Sequence, residues 1–125
     1  MNQGMESIVV RYNASHPDLT LGLSPAFNGR YVIKIFGRLD LETSTHIKPI
    51  LDTVITMIPA AGHLTLDLEH VAYISSTGVG LLTTLLSQTK KQSIGFSLAR
   101  VQIPVLKVMD LLGFSSFIEV EVPDA

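Results

Sequence analysis

The chain has 125 residues, 46% of them hydrophobic, with no cysteine and a formal net charge of -2. That size and apolar content suit one domain around a single core, and the lack of cysteine excludes a disulfide framework and thiolate chemistry. The lysines and arginines form no basic stripe of the kind nucleic-acid backbones require, and no apolar run approaches the roughly twenty residues that cross a bilayer.

Residues 1–18 read as an N-terminal extension with a possible edge strand over Ser7–Tyr12 and a turn-rich Asn13–Asp18. Met1–Val10 has neither the basic leader nor the apolar core of a signal peptide, so a cytoplasmic protein is expected. Leu19–Leu23 and Tyr31–Gly37 are strand-like, and Ser24–Arg30 between them carries Pro25 and Asn28-Gly29, the chemistry of a hairpin. Asp40–Ser44 supplies helix-start residues, after which Ile47, Ile50, Leu51, Val54, Ile55 and Ile58 recur at three- and four-residue steps. Pro49 removes a backbone donor, which predicts that the regular helix begins nearer His46.

Leu64, Leu66 and Leu68 alternate with Thr65, Asp67 and Glu69, predicting a central strand. From Gly78 to Gln92 the spacing becomes helical, with Val79, Leu82, Leu85 and Leu86 toward the core and Thr83, Thr84 and Ser87 opposite. Lys90 and Lys91 suit the negative end of its dipole. Phe96–Ala99 is a further strand. Pro104 opens a helix bearing Val105, Val108, Leu111 and Leu112, which Gly113 is placed to end, and Phe117–Val122 is a last short strand. Strands and helices alternating in this way predict an α/β domain over residues 19–125, a mixed sheet of four to six strands packed with three main helices.

Ser75, Ser76 and Thr77 fall where the central strand hands over to a helix. A side-chain oxygen there accepts from unpaired backbone N–H groups, so at least one is expected to be a cap. Gly78 and Gly80 remove side-chain bulk from the first turn and would let a partner approach the backbone. The spacing is not that of a phosphate-cradling loop.

These residues resemble a known family. Leu66-Asp-Leu68 together with Tyr73-Ile-Ser-Ser-Thr-Gly-Val-Gly-Leu-Leu82 is similar to the signature of the STAS domain, the module shared by anti-sigma-factor antagonists and sulphate-transporter tails. Gly37-Arg-Leu-Asp-Leu-Glu-Thr43 resembles the family's Gly-x-Leu-Asp-x-x-Thr turn, and Val105–Phe114 resembles its closing helix and cap. The resemblance spans about residues 19 to 122 and departs at one position, where Ser75 replaces the usual Asp. It implies an anti-sigma-factor antagonist that binds a serine/threonine kinase-type anti-sigma factor, with Ser76 or Thr77 as phosphoacceptor and Asp40 helping to shape that surface. The expected docking face is Asp40, Ser75, Ser76, Thr77, Gly78, Thr83, Thr84 and Ser87.

Two other classes compete. An enzyme would need converging groups; Asp40 and His46 acting on Ser76 would be one set, but no Gly-x-Ser-x-Gly elbow surrounds Ser76. Asp40 is better explained as a cap and His46 as a solvated residue, and His16, His63 and His70 lack metal-ligand spacing. No catalytic residue, metal or cofactor is expected. The other class is a constitutive docking subunit of a membrane transporter or lipid-transport system, which would use the same face without phosphorylation.

Overall fold

The computed structural model describes residues 3–120. Its elements are α1 (Gln3–Ser15), β1 (Leu19–Leu23), β2 (Arg30–Gly37), α2 (Leu41–Met57), β3 (His63–His70), α3 (Ser76–Lys91), β4 (Gly95–Ala99), α4 (Ile103–Leu111) and β5 (Glu119–Val120). One five-stranded sheet runs in the order β1-β2-β3-β4-β5. β1 and β2 are antiparallel and every later pair is parallel. No described helix is long and apolar enough to cross a membrane.

The hairpin forms as its turn chemistry dictates. Asn28 and Gly29 both take positive φ, 53° and 75°, and Phe27 and Arg30 exchange backbone bonds of 3.1 and 2.9 Å. At the far end of β2, Gly37 has φ 138°, and a Cβ there would lie 2.6 Å from the Asp18 carbonyl oxygen. Glycine is therefore required to turn the chain out of the sheet.

Ile33, Ile35, Leu64, Leu66, Leu68 and Leu98 point to one face of the sheet and are buried beneath Ile47, Leu51, Val54 and Ile55 of α2 and Val79, Leu82 and Leu85 of α3. The other face carries Lys34, His63, Thr65, Asp67 and Ser97. Asp67 is nonetheless buried, because Arg100 donates to its carboxylate through both Nε, at 3.0 Å, and Nη2. Burial alone would push this carboxyl up; the Arg100 guanidinium and the Glu69 backbone N–H hold it below its ordinary value.

Three expectations are corrected. The possible strand Ser7–Tyr12 is part of helix α1, one of four α-helices among the described residues. Ile8-Val9-Val10 suggests a strand locally, but Met5, Val9 and Tyr12 share one helical face and are buried in the core. Asn13, on the same helix, uses its side-chain amide to accept from the Leu21 N–H at 2.9 Å and donate to the Leu21 carbonyl at 2.8 Å. Second, α2 begins at Leu41 rather than near His46, and Pro49 lies inside it. Pro49 and Thr45, whose carbonyl loses its helical partner, are both exposed. Third, the closing strand is only Glu119–Val120 among the described residues, since Phe114–Ser116 forms a 3-10 turn; Glu121 and Val122 lie outside those residues.

Candidate functional site

The segments leaving β2 and β3 run side by side. Leu39 N–H donates to the Tyr73 carbonyl at 3.0 Å, Ser75 N–H donates to the Leu39 carbonyl at 2.9 Å, and Leu39 forms a parallel bridge with Ile74. With both residues buried, the bridge fixes the next residues of the two segments as the adjacent N-caps of α2 and α3. The structure thus brings Asp40 to the Ser75–Thr77 turn.

Asp40 is committed to its own helix. Its Oδ1 accepts from Thr43 N–H at 2.9 Å while its own N–H donates to Thr43 Oγ1 at 3.0 Å, a complete capping box, and the Thr43 hydroxyl donates to the Arg38 carbonyl at 2.6 Å. The Thr43 backbone bond leads the groups that hold the Asp40 carboxyl below its ordinary value, the Thr43 hydroxyl and nearby Arg38 adding to it. Ser75 caps α3 alone, accepting from Gly78 N–H at 3.2 Å. Ser and Asp both cap well, so a cap is kept with Ser75 at the position where the resemblance expects Asp.

Ser76 and Thr77 are exposed and make no side-chain hydrogen bond among the described residues. Gly78, expected to open the backbone to a partner, is instead buried. A Cβ there would sit 2.7 Å from Ile74 Cγ1 and 2.8 Å from the Leu39 carbonyl oxygen, so its role is to let the two segments close. Gly80 is the open one, since a Cβ added there would have nothing within 4 Å.

Four hydroxyl residues of α3 divide between two grooves. Thr77, Gly80, Leu81 and Thr84 line one of about 340 Å³ against Ser44, Thr45 and Lys48 of α2. Thr83 and Ser87 line another of about 440 Å³ with Val79, Leu86, Lys90 and the turn after α4. Leu86 is accordingly half-buried, while Leu81 takes a core position that helical spacing alone did not single out. The His46 ring meets that of His16, the residue just after α1, at 5.2 Å, and His46 does not line the groove that holds Thr77. No group of three His, Cys, Asp or Glu side chains among the described residues could hold a metal ion.

Sequence reasoning missed three exposed residues around the turn. Arg38 lies over the Tyr73 ring at 4.1 Å and reaches Asp40 at 4.0 Å, and Leu41, the first residue of α2, is 66% exposed. The available signal was position: Arg38 and Tyr73 each stand two residues before a helix cap.

A family model for the STAS domain matches residues 24–123. Comparison with curated protein sequences gave no match. Among solved structures, an anti-sigma factor antagonist from Mycobacterium paratuberculosis is 22% identical, with a TM-score of 0.72 over 86% of this chain and 89% of that one. The anti-sigma factor antagonist SpoIIAA in its unphosphorylated form is 20% identical, with a TM-score of 0.67 over 81% and 87%; the Bacillus protein in its phosphorylated form is 20% identical, with 0.61 over 81% and 90%. A sulfate transporter family protein from Wolinella succinogenes is 21% identical, with 0.66 over 78% and 80%. With its two helix starts paired at the end of a mixed sheet and the family model covering most of its length, the chain belongs to the STAS domain family.

Proposed function

We propose that this chain is a cytoplasmic, non-enzymatic anti-sigma-factor antagonist that binds a serine/threonine kinase-type anti-sigma factor and is released from it by phosphorylation on Ser76 or Thr77. The observation that carries this reading is the exposed, unbonded hydroxyl pair on the first turn of α3, beside a helix start whose Asp40 and Thr43 are engaged in a capping box. A kinase would transfer the γ-phosphoryl of ATP to the hydroxyl oxygen: the new O–P bond replaces the bond to ADP, and the hydroxyl proton passes to a base on the kinase. The phosphate adds about -1.5 to -2 charges. That charge is tolerated at a free helix N-terminus but is costly in an interface that must desolvate it. The existence of SpoIIAA in both states supports the same logic.

Titration of Ser76→Asp and Thr77→Asp against the cognate kinase tests the proposal. Weakened binding by at least one is expected; unchanged affinity in both would sink it. A second reading, constitutive docking to a transporter or lipid-transport system, is favoured by the likeness to the Wolinella protein and by Ser75, which leaves the turn without the usual carboxylate. Under that reading both variants weaken docking to the transporter and the native protein carries no phosphate.

A further inference from the structure

The groove between α2 and α3 contains a polar atom the fold does not use. Ser44 is only 2% exposed, and its Oγ has no hydrogen-bond partner, although it lines the groove with Thr77. A buried hydroxyl without a partner is uncommon in a folded protein and calls for an explanation. The neighbouring hydroxyls are occupied: Thr45 donates to the Leu41 carbonyl at 2.7 Å and Thr84 to the Gly80 carbonyl at 3.0 Å. Ser44 is thus the groove's spare hydroxyl donor.

Lys48, on the same wall, supplies the charge. Its Nζ contacts Asp52 at 2.7 Å, which uses one of three N–H donors, and its side chain is 43% exposed. The other charged groups near this end of α2 are Asp40, engaged in its capping box and facing Arg38, and Glu42, neither of which lines the groove. α3 carries no charged residue before Lys90. Of the two candidate acceptors, Thr77 lines the groove and Ser76 does not.

We propose that the α2–α3 groove is a phosphoryl-receiving site, in which a phosphate carried on Thr77 is held by the Lys48 ammonium and the Ser44 hydroxyl. The inference rests on the phosphorylation reading above and adds what that reading lacks: an internal counter-charge, and a distinction between the two hydroxyls. Ser44 and Lys48 lie one helical turn apart on α2, so they present to the same side of the groove. A dianion there gains a charge-assisted bond from Lys48, a neutral one from Ser44 and the favourable end of the α3 dipole. A phosphate on Ser76 would stand in solvent instead.

The test uses full-length protein carrying phosphothreonine at 77 or phosphoserine at 76, installed by genetic encoding so that no cognate kinase is needed. The second ionisation of each phosphate is followed by phosphorus NMR. For phosphothreonine 77 it should fall below the ordinary value of about 6, and Lys48→Met should restore it, an acid-dissociation change of about threefold or more. Lys48→Arg should retain most of the effect, and Ser44→Ala should remove a smaller part. Phosphoserine 76 should titrate alike with and without Lys48. Identical titrations of phosphothreonine 77 in the parent and Lys48→Met, both folded by circular dichroism, would overturn the groove assignment. Failure of any kinase to modify the chain would overturn the switch while leaving this result standing.

Discussion

The two helix starts at the end of the sheet are built from similar residues and put to opposite use. At the start of α2, Asp40, Thr43 and Arg38 close on one another through reciprocal side-chain and backbone bonds. At the start of α3, a single Ser75 bond of 3.2 Å does the capping, and the two hydroxyls that follow are free. Polar groups that the fold consumes cannot also read a partner. The contrast leaves the first junction as a helix start closed on itself and the second as the one whose hydroxyls the proposed function would use, with Gly78 buried between the two segments.

The largest expected effect falls on that glycine. Gly78→Ala forces a methyl against the Leu39 carbonyl and Ile74, and should lose about 1–3 kcal/mol in chemical denaturation, as overpacked sites do. Gly80→Ala, two residues on, should gain up to about 1 kcal/mol, because an exposed helical glycine with no neighbour is an entropic liability. Equal effects for the two would erase the distinction between buried and open glycine.

Next come the caps. Ser75→Ala should cost about 1 kcal/mol. Asp40→Asn should melt close to the parent at neutral pH, since Asn caps nearly as well. Its difference should show in acid: a carboxyl held below its ordinary value contributes stability above the unfolded-state pKa of about 4, and that contribution disappears as the pH falls through the folded value. The parent should therefore lose melting temperature more steeply than Asp40→Asn below about pH 4. If Asp40→Asn also slows phosphorylation at neutral pH with its melting temperature unchanged, Asp40 serves the acceptor surface as well as its own helix.

The smallest effect on folding, and the sharpest on binding, belongs to the exposed face. Thr84→Arg and Ser76→Arg should stay within about 0.5 kcal/mol of the parent in stability and weaken partner binding in pull-down or titration. Thr83→Arg, in the other groove, should bind as the parent does if docking is confined to the α2–α3 side. Normal binding by Thr84→Arg and Ser76→Arg would move the docking face elsewhere.

Much of this was legible in the order of residues. Leu64, Leu66 and Leu68 announce β3 by alternation, α2 and α3 follow from helical spacing, and the hydroxyl run marks its junction without any coordinates. The misreadings share a cause, which is that packing decided between local options. Ile8-Val9-Val10 becomes helix because Met5 and Tyr12 lie on the same buried stripe as Val9. Pro49 is tolerated mid-helix because it faces solvent. Asp67 alternates like a surface residue yet is buried, since its partner Arg100 is 33 residues away. Ser44 and Lys48 were invisible as site residues because they belong to the neighbouring helix, and periodicity within one helix says nothing of what faces it.

The side-chain amide of Asn13 has a consequence for how copies of this protein behave together. β1 is the outermost strand, and an uncovered strand in that position invites another chain to add to it. By presenting one acceptor and one donor to Leu21, Asn13 imitates the pairing that an intruding strand would make and occupies it first. A helix that sequence patterning suggested was itself a strand thus ends up guarding the sheet against indefinite lateral growth, an anti-aggregation device contained in one amide.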